Sequence, residues 1–369
     1  MKKEVWTAAA TLMATTIGAG ILGLPYVFAK SGFLIGTAYI ILFTTVYVIM
    51  SFFVAEIVLR TKEQHQLVGL AGRYLGKKGK IFYLIITMLA FYGSLVAYLI
   101  ALGQAFNSIF GGAQILWSLA CFFAFSLILY YDIDVFKKSE NILILALIAI
   151  IISIVIFSIP HADTANLSAY SLSSWFFPYG VVLFAFMGLS AIPMMKEELS
   201  DLHDFKTAIL IGVIGSGALY LLFSYAMVGL LGMSVSEVAT VGIGAKLGAG
   251  MNIIANLLAI LTLSTSFIAV GYALKESYFF DVNLGGDASF LTTMIIPIAI
   301  VLLGVTGFIS ALNYVGGIGS GLILLFMIMI LRKARARGDR KPEFTAINSR
   351  FLEYILMSIF LIGLIHTII

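Results

Sequence analysis

The sequence predicts an all-α polytopic membrane protein, and three observations predict it. Of its 369 residues, 61% are hydrophobic and only 11% charged, against roughly 25% charged in a soluble domain. The mean hydropathy is +1.08. Apolar runs reach the roughly 20 residues of a spanning helix again and again. They are far longer than barrel strands and lack their alternation. A domain of this size has too little interior to hide so much apolar surface. A soluble enzyme, a nucleic-acid binder and a disordered chain are therefore excluded. The single cysteine, Cys121, excludes a disulfide framework and a cysteine-based zinc site. Met1-Lys2-Lys3 opens like a signal peptide, but the apolar run continues past any cleavable length and reads as a first span.

Taken in order, eleven segments qualify, at about 5–29, 33–58, 81–108, 113–131, 141–160, 175–195, 205–231, 249–274, 289–307, 311–331 and 349–368. Orientation follows from the loops, because Lys and Arg concentrate on the cytoplasmic side. With the N-terminus inside, the inner segments hold Lys2, Lys3, Arg60, Lys62, Arg73, Lys77, Lys78, Lys80, Lys137, Lys138, Lys196, Lys206, Lys275, Arg332, Lys333, Arg335, Arg337, Arg340, Lys341 and Arg350. Only Lys30 and Lys246 fall outside, so 20 of the 22 basic residues are inside and the C-terminus lies outside. The net charge of +4 and the basic 332–341 run then describe topology rather than a nucleic-acid partner. Lys77, Lys78 and Lys80 are placed to meet anionic lipid.

Two segments are not ordinary spans. The first contains Thr15-Thr16-Ile17-Gly18-Ala19-Gly20-Ile21-Leu22-Gly23-Leu24-Pro25; the sixth contains Phe184-Ala185-Phe186-Met187-Gly188-Leu189-Ser190-Ala191-Ile192-Pro193. Glycine weakens a helix and proline removes a donor. Unwound backbone at membrane depth is tolerated only where it lines a cavity or packs in protein. Close helix packing by small residues is the competing explanation. The two, however, lie five spans apart, at matching positions in halves 1–5 and 6–10. Five is odd, so the second half is inverted, with the eleventh span outside the repeat. Paired interrupted helices in inverted repeats point to a transporter's central site. A broken helix offers N–H groups to a carboxylate and carbonyls to an ammonium or small cation. With so few ionised side chains inside, backbone dipoles are the expected clamp for a zwitterionic amino acid.

Gly18 to Pro25, followed by Ala29-Lys30-Ser31-Gly32-Phe33, resembles the first-helix signature of amino-acid permeases of the APC superfamily. The similarity is strongest to the amino acid/auxin permease branch with the bacterial aromatic and hydroxy amino-acid permeases. Phe184 to Leu199 resembles that family's broken sixth helix, Gly93-Ser94-Leu95-Val96-Ala97-Tyr98 its third, and Asn313-Tyr314-Val315-Gly316-Gly317-Ile318-Gly319-Ser320-Gly321 its tenth. The resemblance covers essentially the whole chain. It implies the five-plus-five inverted-repeat fold first described for the bacterial leucine transporter, alternating access and cation-coupled amino-acid uptake across the plasma membrane. Residues 1–331 would form one transporter domain, with repeats at about 5–160 and 175–331. Residues 332–348 would be a basic cytoplasmic loop, and 349–369 the eleventh helix. Carried over by position, Thr16, Ile17, Gly18, Ala19 and Gly20 would meet the substrate's amino and carboxyl groups. Phe186, Met187, Gly188 and Ser190 would line the other side, with Tyr98 across the pocket. Phe267 would add to an apolar lining that favours a neutral, hydrophobic or aromatic substrate. A leucine at Gly20 is expected to block the pocket and spare the fold.

Thr262, Thr265 and Ser266 share one helical face, at i, i+3 and i+4. Such hydroxyls often only satisfy carbonyls of the preceding turn. In related sodium-coupled transporters, hydroxyls at similar positions join first-helix carbonyls around the ion. The resemblance thus implies a coupling-cation site of Thr262, Thr265 and Ser266 with the carbonyls of Ile17 and Gly20. Proton coupling is the rival to Na+. No organic cofactor is called for. Glu56, near Arg60 at i+4, reads as a helix-surface ion pair rather than a proton carrier. His65, His161, His203 and His366 fall at loops and ends, where no transport role is assigned. Lys196 to Asp204 reads as a solvated mixed-charge link. Two alternatives stand beside amino-acid uptake: an amino-acid sensor on a permease fold, which would leave much the same motifs, and a metal-ion transporter of the same fold, which would want carboxylate, amide or thioether ligands that the first break lacks. No zinc cluster or nucleophile–base pair lies at membrane depth, so the chain does not read as an enzyme.

Overall fold

The structure is a computed structural model that describes residues 2–131, 140–168 and 171–369. Met1, Lys137 and Lys138 of the topology argument lie outside the described residues. The described chain is helical. In order, the helices are α1 (Lys3–Thr16), α2 (Gly20–Ser31), α3 (Phe33–Arg60), α4 (Leu67–Phe110), α5 (Gln114–Tyr130), α6 (Glu140–Ser158) and the short α7 (Ala165–Ser168). They continue as α8 (Pro178–Ala185), α9 (Ala191–Glu198), α10 (Phe205–Leu231), α11 (Gly244–Glu276), α12 (Gly286–Leu303), α13 (Phe308–Tyr314), α14 (Gly321–Arg337) and α15 (Arg350–Ile368). A π-helical turn, Val315–Ser320, joins α13 to α14.

Among the described residues, seven helical stretches are long and apolar enough to cross a membrane, or eight if the bent pair α1–α2 is one span. Each remaining segment expected from the sequence coincides with a shorter or interrupted element: α5, α6, and the pair α8–α9. Glycine sets several ends. Gly232 (φ 55°) closes α10 and Gly304 (φ 63°) closes α12, conformations a Cβ would disfavour.

The helices pack in two overlapping sets, linked by α14 on both α3 and α4 and by α11 on α6. α10 packs on α1, α2, α3 and α6, while α4 packs on α11, α5 and α12. The spanning stretch of α13–α14 is 72% buried, whereas that of α15 is 22% buried, so α15 lies at the rim. It braces α8 nevertheless. Gly363 packs directly on the ring of Tyr179, and His366 stacks on Phe176 at 3.9 Å.

Two expectations change here. Glu56 does pair with Arg60 (2.8 Å), but not on a helix surface: its side chain is fully buried. It also accepts from Arg335 Nη2 at 2.8 Å and from the Ala346 N–H at 3.0 Å. Arg335 reaches Glu353 at 3.3 Å, and Arg332 reaches it at 2.6 Å. Burial is compatible with these charges because every one is paired and hydrogen-bonded. The same pairing explains why 332–348 is not wholly a loop. α14 runs on to Arg337, keeping Arg332 and Arg335 on a helix that faces both carboxylates. The return segment is tied down where Asp339 donates its N–H to the Arg60 carbonyl (2.9 Å) and its carboxylate binds Arg73.

Candidate functional site

Both unusual segments are interrupted. α1 and α2 meet at a 59° bend across Ile17–Ala19. Helix stops at Ala185 and resumes at Ala191, leaving residues 186–190 between α8 and α9. The prolines do not mark the breaks. Pro25 lies inside α2, and Pro193 lies in the first turn of α9, where its missing N–H would have had no partner within the helix.

The breaks cross at van der Waals range. A Cβ on Gly20 would come within 2.5 Å of the Ala185 Cα, and one on Gly188 would overlap the Thr16 hydroxyl. Each break thus supplies a glycine that packs on the last residue of the other segment's first half. Gly20→Leu would consequently disrupt this packing, so the expectation that it spares the fold is corrected. Gly18 differs: its Cβ would stand 3.4 Å from Ser266 Oγ, an ordinary contact.

A cavity of about 850 Å³ opens beside the crossing. Of the residues expected at the site, it is lined by Thr16, Ile17, Gly18, Ala19, Gly20, Tyr98, Met187, Ser190, Thr262, Thr265 and Ser266. Phe186 and Gly188 are not in its lining. The Phe186 ring is 1% exposed and sits between Tyr47 (5.4 Å, stacked) and Tyr220 (5.2 Å, edge-on). Phe267 is likewise turned away, against Phe125 at 5.2 Å. Ala90, Phe91 and Ser94 line the cavity too, one and two turns before Tyr98 on α4. Helical spacing from Tyr98 is the signal that finds them. On α11 the lining continues past Ser266 through Ala269, Tyr272 and Ala273 to Glu276, the one charged residue among those that line it.

Helix ends set the electrostatics. The first N–H groups of α2 have no carbonyl of their own helix to meet, and Ala19 and Gly20 line the cavity, so this positive end faces it. At the end of α1, the Met13 carbonyl accepts from Ile17 N–H (2.6 Å) and the Thr16 carbonyl from Gly18 N–H (2.9 Å). Ala14, one turn before Gly18, also lines the cavity. Gly20, as the first residue of α2, directs its carbonyl along that helix, away from the break. On α11, Thr265 Oγ1 donates to the Leu261 and Thr262 carbonyls, each at 3.0 Å, which leaves its lone pairs outward. Thr262 Oγ1 is buried with no hydrogen-bond partner among the described residues. Among these residues, no cluster of three His, Cys, Asp or Glu could hold a metal ion.

The fold, with its interrupted helices around a cavity, is of the leucine-transporter type, as solved structures show. The chain superposes over its full length on 98% of MhsT in its complex with L-phenylalanine (TM-score 0.71, 16% identity). It also superposes on 87% of a manganese transporter from Eremococcus coleocola (TM-score 0.70, 13% identity). The chain belongs to the tryptophan/tyrosine permease family, whose pattern matches residues 1–368. It is 26% identical to tyrosine-specific transport system 1 of Haemophilus influenzae, over 91% of this chain and 90% of that protein. It is 22% identical to glutamine transporter 2 of Aliivibrio fischeri, over 93% and 91%. The chain is therefore a multi-pass transmembrane permease of an amino-acid transport family and not an enzyme.

Proposed function

We propose that this permease imports a neutral, hydrophobic or aromatic amino acid by cation symport through alternating access. The observation that carries the reading is the cavity at the crossing of the two breaks, where the α2 N–H end meets a lining without charged side chains near the breaks. The α-carboxylate would bind the N–H groups at Ala19 and Gly20, and the α-ammonium the hydroxyl and carbonyl oxygens around Thr16 and Ser190. The side chain would lie toward Phe91, Ser94, Tyr98 and Met187. A single Na+ would be held by Thr265 and Ser266 with α1 carbonyls, those of Ala14 and Ile17 fitting better than that of Gly20. The Thr262 hydroxyl on the same face makes no hydrogen bond among the described residues and is free to join this set.

The topology goes with it. Counting α1–α2 and α8–α9 as one span each, and adding α5 and α6, the helices make eleven spans in a five-plus-five inverted repeat with α15 appended. The reciprocal glycine contacts of the two breaks support the repeat. With the N-terminus inside, the cavity runs from the breaks toward Glu276 and the cytoplasm, an inward-facing state. Proteoliposome uptake of each proteinogenic amino acid, under separately imposed sodium and proton gradients, tests the reading. Uptake of none in either gradient overturns it.

A further inference from the structure

Tyr220 on α10 is fully buried, and its hydroxyl lies 2.7 Å from the Thr16 carbonyl and 2.6 Å from the Ala185 carbonyl. Thr16 is the last residue of α1 and Ala185 the last of α8. One hydroxyl thus stands where the first halves of both broken segments end. Helix C-termini carry partial negative charge, roughly half an elementary charge each. Two of them converging in a membrane protein make the kind of place where a small cation binds.

We infer that Tyr220 is a positioning residue whose hydroxyl takes the place of a second cation, holding both half-helix ends in register so that the transporter works with no more than one coupling cation. This rests on the cation-coupled reading above. Three features favour it over plain packing. The donor is aimed at both breaks at once. The Tyr220 ring is held edge-on to Phe186, which fixes the hydroxyl without lining the cavity. A second tyrosine, Tyr47, serves only one break, donating to the Leu183 carbonyl at 3.1 Å. Tyr47 is therefore a matched control, since it too is a buried hydroxyl on an α8 carbonyl.

The test is equilibrium amino-acid binding to the detergent-solubilised full chain at varied sodium and pH, for the native protein, Tyr220→Phe and Tyr47→Phe. Expected are a native Hill coefficient for the cation of about one or below, and binding weakened roughly tenfold in Tyr220→Phe but less than about threefold in Tyr47→Phe. A native Hill coefficient near two, or equal losses in the two variants, overturns the inference. If Tyr220→Phe does not fold, the native Hill coefficient decides alone. If no amino acid binds the native chain, the transport reading fails. The inference is then scored by how the thermal midpoint rises with sodium or lithium: stabilisation by one cation upholds it, and by two or by none overturns it.

Discussion

Gly188 packs directly on the hydroxyl of Thr16, so the second broken segment rests on the end of the first. Gly20 repeats the contact in reverse against Ala185. A methyl at Gly20 forces two backbones apart and one at Gly188 displaces the Thr16 hydroxyl, each costing about 1–3 kcal/mol in a packed interior. Gly188→Ala and Gly20→Ala are expected to lower the thermal midpoint in detergent. Gly18→Ala, with an ordinary 3.4 Å contact to Ser266, should fold normally and lose substrate affinity. Equal midpoints for all three variants would refute the assignment of packing and binding glycines.

Phe186 and Met187 are neighbours with opposite surroundings. Phe186→Ala empties a buried aromatic site and should cost about 3–5 kcal/mol, read as a large drop in thermal midpoint. Met187→Ala enlarges the cavity and should raise KM with little change in stability. A stable Phe186→Ala protein with altered substrate preference would contradict this placement.

Ser266→Ala removes a hydroxyl that faces Gly18 across the first break. Under the proposed cation site, the half-saturating concentration of the driving cation should rise roughly tenfold, equivalent to about 1.4 kcal/mol. Uptake titrated against sodium and against protons measures it. An unchanged titration in both would remove Ser266 from the site.

Glu56→Gln leaves Arg335 buried without its closest carboxylate. Breaking one side of a buried pair costs about 3–5 kcal/mol, so the variant should unfold at a clearly lower temperature than the native chain. If its midpoint matches the native one, the network does not stabilise the fold.

Asp201 accepts from the N–H and the ring of His203 and from Lys2 (3.3 Å). These donors hold its carboxyl down, to about 2. A depressed carboxyl contributes wherever it is ionised in both states. That contribution is lost as pH falls from about 4, the value of a free Asp, toward the folded value. The contact between the N-terminus and the start of α10 should therefore persist at pH 5 and loosen only below about 4. Hydrogen exchange over residues 2–10, corrected for intrinsic rates, reads this directly. Loosening already between pH 7 and 5 would argue against it.

Much of this molecule was legible in its sequence, for physical reasons. α10 falls at 205–231, where the apolar run was read, because hydropathy alone defines such an element. The cavity residues of α1 and α11 were legible because two glycine-rich segments stand at matching positions and the hydroxyls share one helical face, a coincidence that packing alone does not require. The orientation of a single ring was not. Phe186 and Met187 are adjacent in an unwound stretch, where no helical period says which faces the cavity. The partners of Glu56 were equally hidden, since Arg335 lies 279 residues away and the i+4 neighbour Arg60 already offered a sufficient explanation.

α15 carries a consequence for biogenesis. Of the described elements it leaves the ribosome last, yet it supplies Glu353 to Arg332 and Arg335 and braces α8 through Gly363 and Tyr179. Until it inserts, Arg332 lacks its carboxylate, Arg335 keeps only Glu56, and the half-helix bearing the second break lacks its support. The permease therefore passes through synthesis with its central cavity unbraced, and an arrested chain ending before Arg350 is the form that cellular proteolysis should recognise.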